Sequence, residues 1–473
     1  MRRLMIWLAV LCLMLTATAS AEIELAPQVK EWDEAAPLEV TLQAEVATHM
    51  PFDDNRRDQL NGLLKHMALR LNTTVADDED IGRVALQVDG RDVAWMMQKE
   101  NAAETQLRLS WQPGVTYSAT GSALESLAGD MPEISLRGVS ADKQQWLEDG
   151  PVLLAGVGEA LEEYKKQESI KTTIKGMGVA RTKIYYTVPK SEAELFGDAV
   201  AACAPAGSTL GDFLAGLTFS GQQKLIVWLD ADGRMLRAEY AGKCGVGEDS
   251  LRQVSLVWRM CRTEEAIKDD ITLKTPAVKG EDYNTLTMTR NLLKDENGVV
   301  TVDGKYNYAV RKDKHKDTRS GEGKLTSTPE EDGTRLSGSV TLKRKQTGDD
   351  YALATVLKPD VLLGSLDGTP VVSGTVQVQD MYGDNVVEDA TIHVDVAEGN
   401  ALLWEDAFAA VDMNAMDEQQ LNEMLEGLSA AVVPHLVLLP QEDTLFISAD
   451  LPEDVWQKIT EAARNALPEE ETP

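Results

Sequence analysis

Alternation of apolar and polar residues carries most of the structural information in this chain. Leu38, Val40 and Leu42 are separated by Glu39, Thr41 and Gln43, the period-two pattern of a half-buried strand over 38–46. Asp53 or Asp54 is placed to cap a helix reaching about Leu71, with Leu60, Leu63, Leu64, Met67 and Leu71 on one stripe. Strands are expected over 83–89, 92–98 and 105–112, the first two joined by the turn Asp89-Gly90. Residues 113–140, rich in Gly, Ser and Pro, read as a boundary or long loop. Helices are expected near Trp146, beyond Pro151 to about Lys166, over Glu192–Ala202 and over Leu210–Leu217, with short strands near 170–188.

From Lys224 the pattern becomes that of a meander. Two apolar strands flank the turn Asp230-Ala-Asp-Gly233 in Lys224–Tyr240. Further strands are expected over 252–260, 284–293, 298–311, 321–328, 334–345, 351–358, 371–380 and 390–396, separated by turn residues such as Asn297-Gly298 and Gly383-Asp384. Tyr306, Tyr308 and Val310 share a face, as do Leu336, Val340 and Leu342, and again Val372, Val376 and Val378. One dry and one wet face is the mark of an antiparallel sheet covered on one side. Two amphipathic helices, Asp417–Val432 and Pro452–Leu467, are the expected cover, with a strand over 443–449 between them.

The first 21 residues belong to none of these elements. Arg2 and Arg3, the apolar run Leu4–Leu15 and Ala19-Ser20-Ala21 have the order of a secretory signal peptide cut before Glu22. The expected location is therefore extracytoplasmic or secreted, with no integral membrane segment after cleavage. The domain reading is a signal peptide over 1–21, an N-terminal α+β domain over 22–137, an antiparallel sheet domain with inserted helices over 138–400, and a helical segment over 401–473 packing on the sheet, with an acidic tail from 468. The fold class is α+β: a large curved antiparallel β-meander covered by amphipathic helices.

A net charge of −32 repels nucleic acid and anionic surfaces at long range, so no nucleic-acid partner is expected. One local feature runs against that total. Arg311, Lys312, Lys314, Lys316 and Arg319 surround one hairpin tip, and Lys343, Arg344 and Lys345 end a strand two places along the meander. Antiparallel geometry puts both groups at the same end of the sheet, a candidate patch for an anionic partner such as a wall polymer or lipid headgroups. The competing reading is a pair of solvated tips whose charges discourage edge pairing.

Catalytic and metal motifs are missing from the sequence. The five histidines form no H-E-x-x-H or other metal pair, and His66 reads as a helix-surface residue. Ser140-Ala-Asp-Lys143 matches S-x-x-K without K-T-G or S-D-N, and Ser140 is sufficiently explained as a helix cap. Asp230-Ala-Asp-Gly233 and Asp77-Asp-Glu-Asp80 lack calcium-loop spacing. No metal and no cofactor is expected. Beyond the leader the cysteines are Cys203, Cys244 and Cys261; a Cys244–Cys261 disulfide and buried free thiols are both open.

The hairpin Lys224–Tyr240, apolar strand, acidic-Gly turn and apolar strand, followed by long meander strands to Val396, resembles the lipoprotein-carrier half-barrel (LolA/RseB-like) superfamily over about residues 140–400. The resemblance implies a curved sheet wrapped around helices, with a concave apolar face for acyl chains or a partner peptide, and no catalytic residues. The expected function is an exported, soluble, non-catalytic binding protein for a lipid or other apolar ligand, or for an envelope protein or polymer. Trp228, Tyr306 and Tyr308 are the candidate lining of its mouth. The alternatives are an envelope structural or adaptor protein working through its surface, and a hydrolase with an unrecognised site.

Overall fold

The computed structural model describes residues 37–49, 53–76, 79–100, 105–119, 153–203, 214, 216–246, 251–263, 265–275, 283–312, 314–331, 333–349, 351–366, 369–404, 409–416, 418–448 and 451–466. The signal segment 1–21, the Ser140–Lys143 motif, the helix expected near Trp146, Asp77 and Asp78, most of 210–217 and the tail from 468 lie outside these residues.

Among the described residues, twenty strands form one sheet. The N-terminal block contributes β1 (Leu38–His49), β2 (Met67–Ala76), β3 (Glu79–Val88), β4 (Arg91–Glu100), β5 (Thr105–Leu109) and β6 (Val115–Ala119). The next group is β7 (Lys165–Ile174), β8 (Gly178–Val188), β9 (Leu217–Leu229), β10 (Met235–Val246), β11 (Arg252–Arg262), β12 (Ala266–Thr275) and β13 (Tyr283–Lys294). The long strands follow: β14 (Val300–Lys312), β15 (His315–Glu330), β16 (Gly333–Gln346), β17 (Leu353–Leu366), β18 (Thr369–Tyr382) and β19 (Asn385–Glu398), with the short β20 (Ala409–Asp412) last. Pairing runs from β7 through β19 in chain order as an antiparallel meander. At β19 the sheet continues into β1 and then on to β6, with β20 parallel to β6 at the far edge. The β1–β19 pair thus joins the strands of 38–119 to those of 165–398 in one sheet, and the boundary expected at 137/138 lies outside the described residues. The sheet is open and uncurled, without the wrapping that a half-barrel would have.

The predicted dry face is present as one surface. Tyr306 pairs with Gly321 and Gly321 with Leu342; Val340 pairs with Leu357 and Leu357 with Val378; Val376 pairs with Ile392. Since cross-strand partners share a face, this register puts Tyr306, Leu342 and Val376 on one side. Leu336, Leu357, Val361, Leu363 and Val394 are nearly or wholly buried there.

Helices sit at the two flanks of the sheet. Residues 153–160 (α2) and α3 (Ala193–Cys203) cover β8 to β10, with Val157, Leu161, Phe196 and Val200 packed on Ile184, Tyr186 and Leu225. At the other flank α1 (Asp54–Leu64) is capped by Asp53, whose carboxylate accepts from the Arg56 N–H at 2.8 Å. Leu63 of α1 packs with Val88 and Leu439, the latter just beyond α4 (Glu418–Val437). The short α5 (Leu445–Ser448) lies against α1, and α6 (Glu453–Ala466) against α4.

Several expectations are corrected. The first helix stops at Leu64, and Met67 to Leu71 are strand, with Leu69 paired to Leu42 and Leu71 to Val40. Positions 67 and 71 satisfy both the helical and the strand period, so spacing alone could not separate them. The helix expected to reach Lys166 ends earlier, because β7 begins at Lys165. Residues 445–448 form a helical turn in place of the expected strand, with Ser448 N–H donating to the Thr444 carbonyl. The C-terminal helices cover the N-terminal block through β4 and α1, whereas the long meander strands were their expected partner.

Candidate functional site

Three neighbouring strands place the basic residues. Arg311 pairs with Lys316 across the β14–β15 turn, and β15 then sets Arg319 opposite Arg344, Thr318 opposite Lys345 and Ser320 opposite Lys343. The two basic groups meet at one end of the sheet. Alternation assigns them to different faces. Arg319 and Arg344 share the dry face, as cross-strand partners, with Asp317 in line beside them. They approach its carboxylate at 3.4 and 3.5 Å, which offsets their mutual repulsion. Lys316, Lys343 and Lys345 belong to the wet face. With Lys314 in the turn they are exposed, and they have no ion-pair partner among the described residues.

Toward the middle of the same strands the wet face sinks into a trough of about 430 Å³. One cross-strand row contributes Asp270, Thr289, Lys305, Glu322 and Thr341, and the next contributes Thr287, Asn307, Ser320 and Lys343. Both carboxylates are already engaged: Arg259 donates to Asp270 at 2.7 Å, and Lys305 lies 3.2 Å from Glu322. Met288, Tyr306 and Gly321, in the row between these two, also line the trough, and the rest of the lining offers hydroxyls, an amide and the Lys343 ammonium. The spacing of the lysines was legible in the sequence. The trough was not, because it depends on the register of five strands.

The aromatic candidates separate. Tyr306 and Tyr308 share the dry face, Tyr306 packed over Gly321, where an added Cβ would lie 2.3 Å from the ring. Tyr306 remains 38% exposed, and burial pushes its phenol pKa up while the Arg319 charge opposes the rise. Trp228 is on the opposite side. Its neighbour Val227 packs under the helices, whereas the Trp228 indole is buried with Ile174, Ala180 and Leu236, and has Lys183 and Arg237 at 4.8 and 4.7 Å from the ring. Trp228 therefore lines no common mouth with the two tyrosines.

The Cys244–Cys261 pairing is also corrected. Cys203, Cys244 and Cys261 are all free. Cys244 lies opposite Arg252, while Cys261 is nine residues further along β11, about 30 Å at strand rise. No disulfide spans such a distance. Burial raises the Cys244 thiol pKa, against a hydrogen bond from Tyr240 that lowers it, and burial likewise raises that of Cys203.

His66 was expected to be a bystander on a helix surface. It stands in the turn after α1, with Nδ1 at 2.6 Å from Asp89 and Nε2 at 2.9 Å from Asp443, and joins the N-terminal block to the C-terminal segment. Burial of the ring disfavours its charged form, but hydrogen bonds to Asp443 and Asp89 and their negative charges outweigh this and raise its pKa. Hydrogen bonds from Lys65 and His66 lower that of Asp443.

No protein-family model and no curated protein matches this chain. Among solved structures it is similar to the outer-membrane OmpT of Vibrio cholerae, with TM-score 0.26, 8% identity, and coverage of 77% of this chain and 99% of that one. It is also similar to the outer-membrane channel DcaP of Acinetobacter baumannii (TM-score 0.26, 5% identity, 76% and 95% covered) and to Salmonella typhi OmpF (0.25, 8%, 77% and 98%). Likeness at this level carries no argument about function.

Proposed function

We propose that this chain is an exported, non-catalytic binding protein of the cell envelope whose partner is anionic and is held at the hairpin tips of β14–β16. The leader Arg2–Ala21 supports export. The carrying observation is the cluster of Lys314, Lys316, Lys343 and Lys345, exposed and unpaired among the described residues, in a chain of net charge −32. The edge-protection reading is weaker for this cluster, because β14 to β16 are interior strands with partners on both sides. The test is retention on immobilised polyphosphate in 0.15 M salt, about physiological strength. The wild-type chain is retained, and the Lys314→Glu/Lys316→Glu/Lys345→Glu variant elutes with the void. Equal retention of the two would refute the reading.

An apolar ligand on the dry face near Tyr306 and Tyr308 is the second reading, favoured by the partial exposure of Tyr306. Native mass spectrometry distinguishes it: a co-purifying lipid, lost in Tyr306→Ala, supports an apolar ligand.

A further inference from the structure

We infer that the trough across β12–β16 is a binding site for an acidic polysaccharide, whose chain crosses the strands and continues onto the lysine tips. This rests on the reading above that the partner is anionic, and it names the partner's class. The trough crosses five strands, about 19 Å at a spacing of about 4.8 Å, which gives a chain-like ligand room for several units. Its lining matches hydroxyl chemistry. Thr287, Ser320 and Thr341 each offer a donor and an acceptor, and Asn307 offers both from its amide. The local charge suits carboxylates on such a chain, since Asp270 and Glu322 are neutralised by Arg259 and Lys305, leaving Lys343 unpaired among the described residues.

Register then supplies a path out of the trough. Lys345 lies two residues beyond Lys343 on the same face, about 7 Å along β16, and Lys316 stands at the adjoining tip. A ligand bearing spaced negative charges among hydroxyls would therefore meet amides and hydroxyls first and ammonium groups next. The same lining disfavours another anionic polymer. Single-stranded nucleic acid stacks on aromatic platforms, but the rings of Tyr306 and Tyr308 belong to the opposite face.

The experiment compares polygalacturonate, a uronate chain, with polyphosphate, which carries charge without sugar hydroxyls. Two readouts are used on the exported chain. In the first, Thr287→Ala/Ser320→Ala/Thr341→Ala removes hydroxyls without altering charge. Its affinity for polygalacturonate is expected to fall tenfold or more, while that for polyphosphate stays within twofold. The second needs no variant: hydrogen exchange of the wild-type chain should show polygalacturonate protecting 303–308 and 320–323, and polyphosphate protecting only 314–319 and 343–347. If both polymers protect the tips alone, or if the hydroxyl variant binds polygalacturonate as the wild type does, the polysaccharide site is overturned and the anionic-partner reading stands. If neither polymer binds the wild-type chain, both fall.

Discussion

Asp269 of β12 is 1% exposed on the dry face, where a carboxylate is least expected. It accepts from the Trp258 indole at 2.9 Å and from Arg262 at 2.6 Å, and Arg290 donates from Nε at 3.0 Å. Removing such an anion strands two guanidinium groups, so Asp269→Ala is expected to cost about 3–5 kcal/mol, measured by urea denaturation. Gly338 is constrained by its backbone. It has φ +143°, and an added Cβ would lie 2.1 Å from the Lys324 carbonyl oxygen of the paired strand. Gly338→Ala is therefore expected to destabilise the sheet by at least about 2 kcal/mol, with the loss visible in the same assay. The thiols give a chemical check: unfolded without reductant, the chain lacking residues 1–21 should titrate Cys203, Cys244 and Cys261 with Ellman's reagent.

Elements are fastened to one another by side chains far apart in sequence, and the contact of α1 with the C-terminal segment is the instructive case. Asp443 receives Lys65 at 2.5 Å and His66 at 2.9 Å, while Asp89 holds the other side of the ring. His66 has its pKa raised above the ordinary 6.5, so its contribution is full below 6.5 and is lost as pH climbs through the higher folded value. Asp443 has its pKa lowered below 3.8, so its contribution is present above 3.8 and is lost as pH falls through the lower folded value. Attachment of 443–448 to α1 should be firmest between these limits. Amide exchange of these residues, corrected for the intrinsic rate, should show a protection plateau there and a fall on the alkaline side. His66→Gln should remove the alkaline fall, and a fall that persists unchanged would assign it to another group.

At the scale of the whole molecule, charge and shape act together. Twenty strands span about 90 Å at a spacing of about 4.8 Å. The Debye length is about 30 Å at 0.01 M salt, about 8 Å at 0.15 M and about 3 Å at 1 M. At low salt the distant acidic residues repel a polyanion from the lysine tips. Near physiological strength their field is screened and the tips act alone, and at high salt the tips are screened as well. Polyphosphate affinity should therefore pass through a maximum near 0.1–0.2 M, measured by titration at several sodium chloride concentrations. A monotonic fall with salt would mean that the net charge does not act on the tips. The edge of the sheet has its own use for charge: β7, paired only to β8 among the described residues, carries exposed Lys166 and Lys171 and a register shift, all of which discourage further strand addition.

The meander and its dry face are legible from residue order alone, because period two is written into consecutive residues and one buried face enforces it from β14 to β19. Residue order also determined the meeting of the basic tips, since two strands ending upward with one descending between them must finish together. The broken or ambiguous patterns were decided only by tertiary structure. Inward Asp269 interrupts the alternation of β12, which hid that strand. The run Leu225–Leu229 is apolar on both faces, which hid the side on which Trp228 stands. Amphipathic helices reveal that they pack but not on what: α4 found β4 of the N-terminal block, and α6 found α4. Register, set by pairing along whole strands, drew Cys244 and Cys261 apart and assembled the trough from five strands, because residues distant in the chain become neighbours only when the sheet forms.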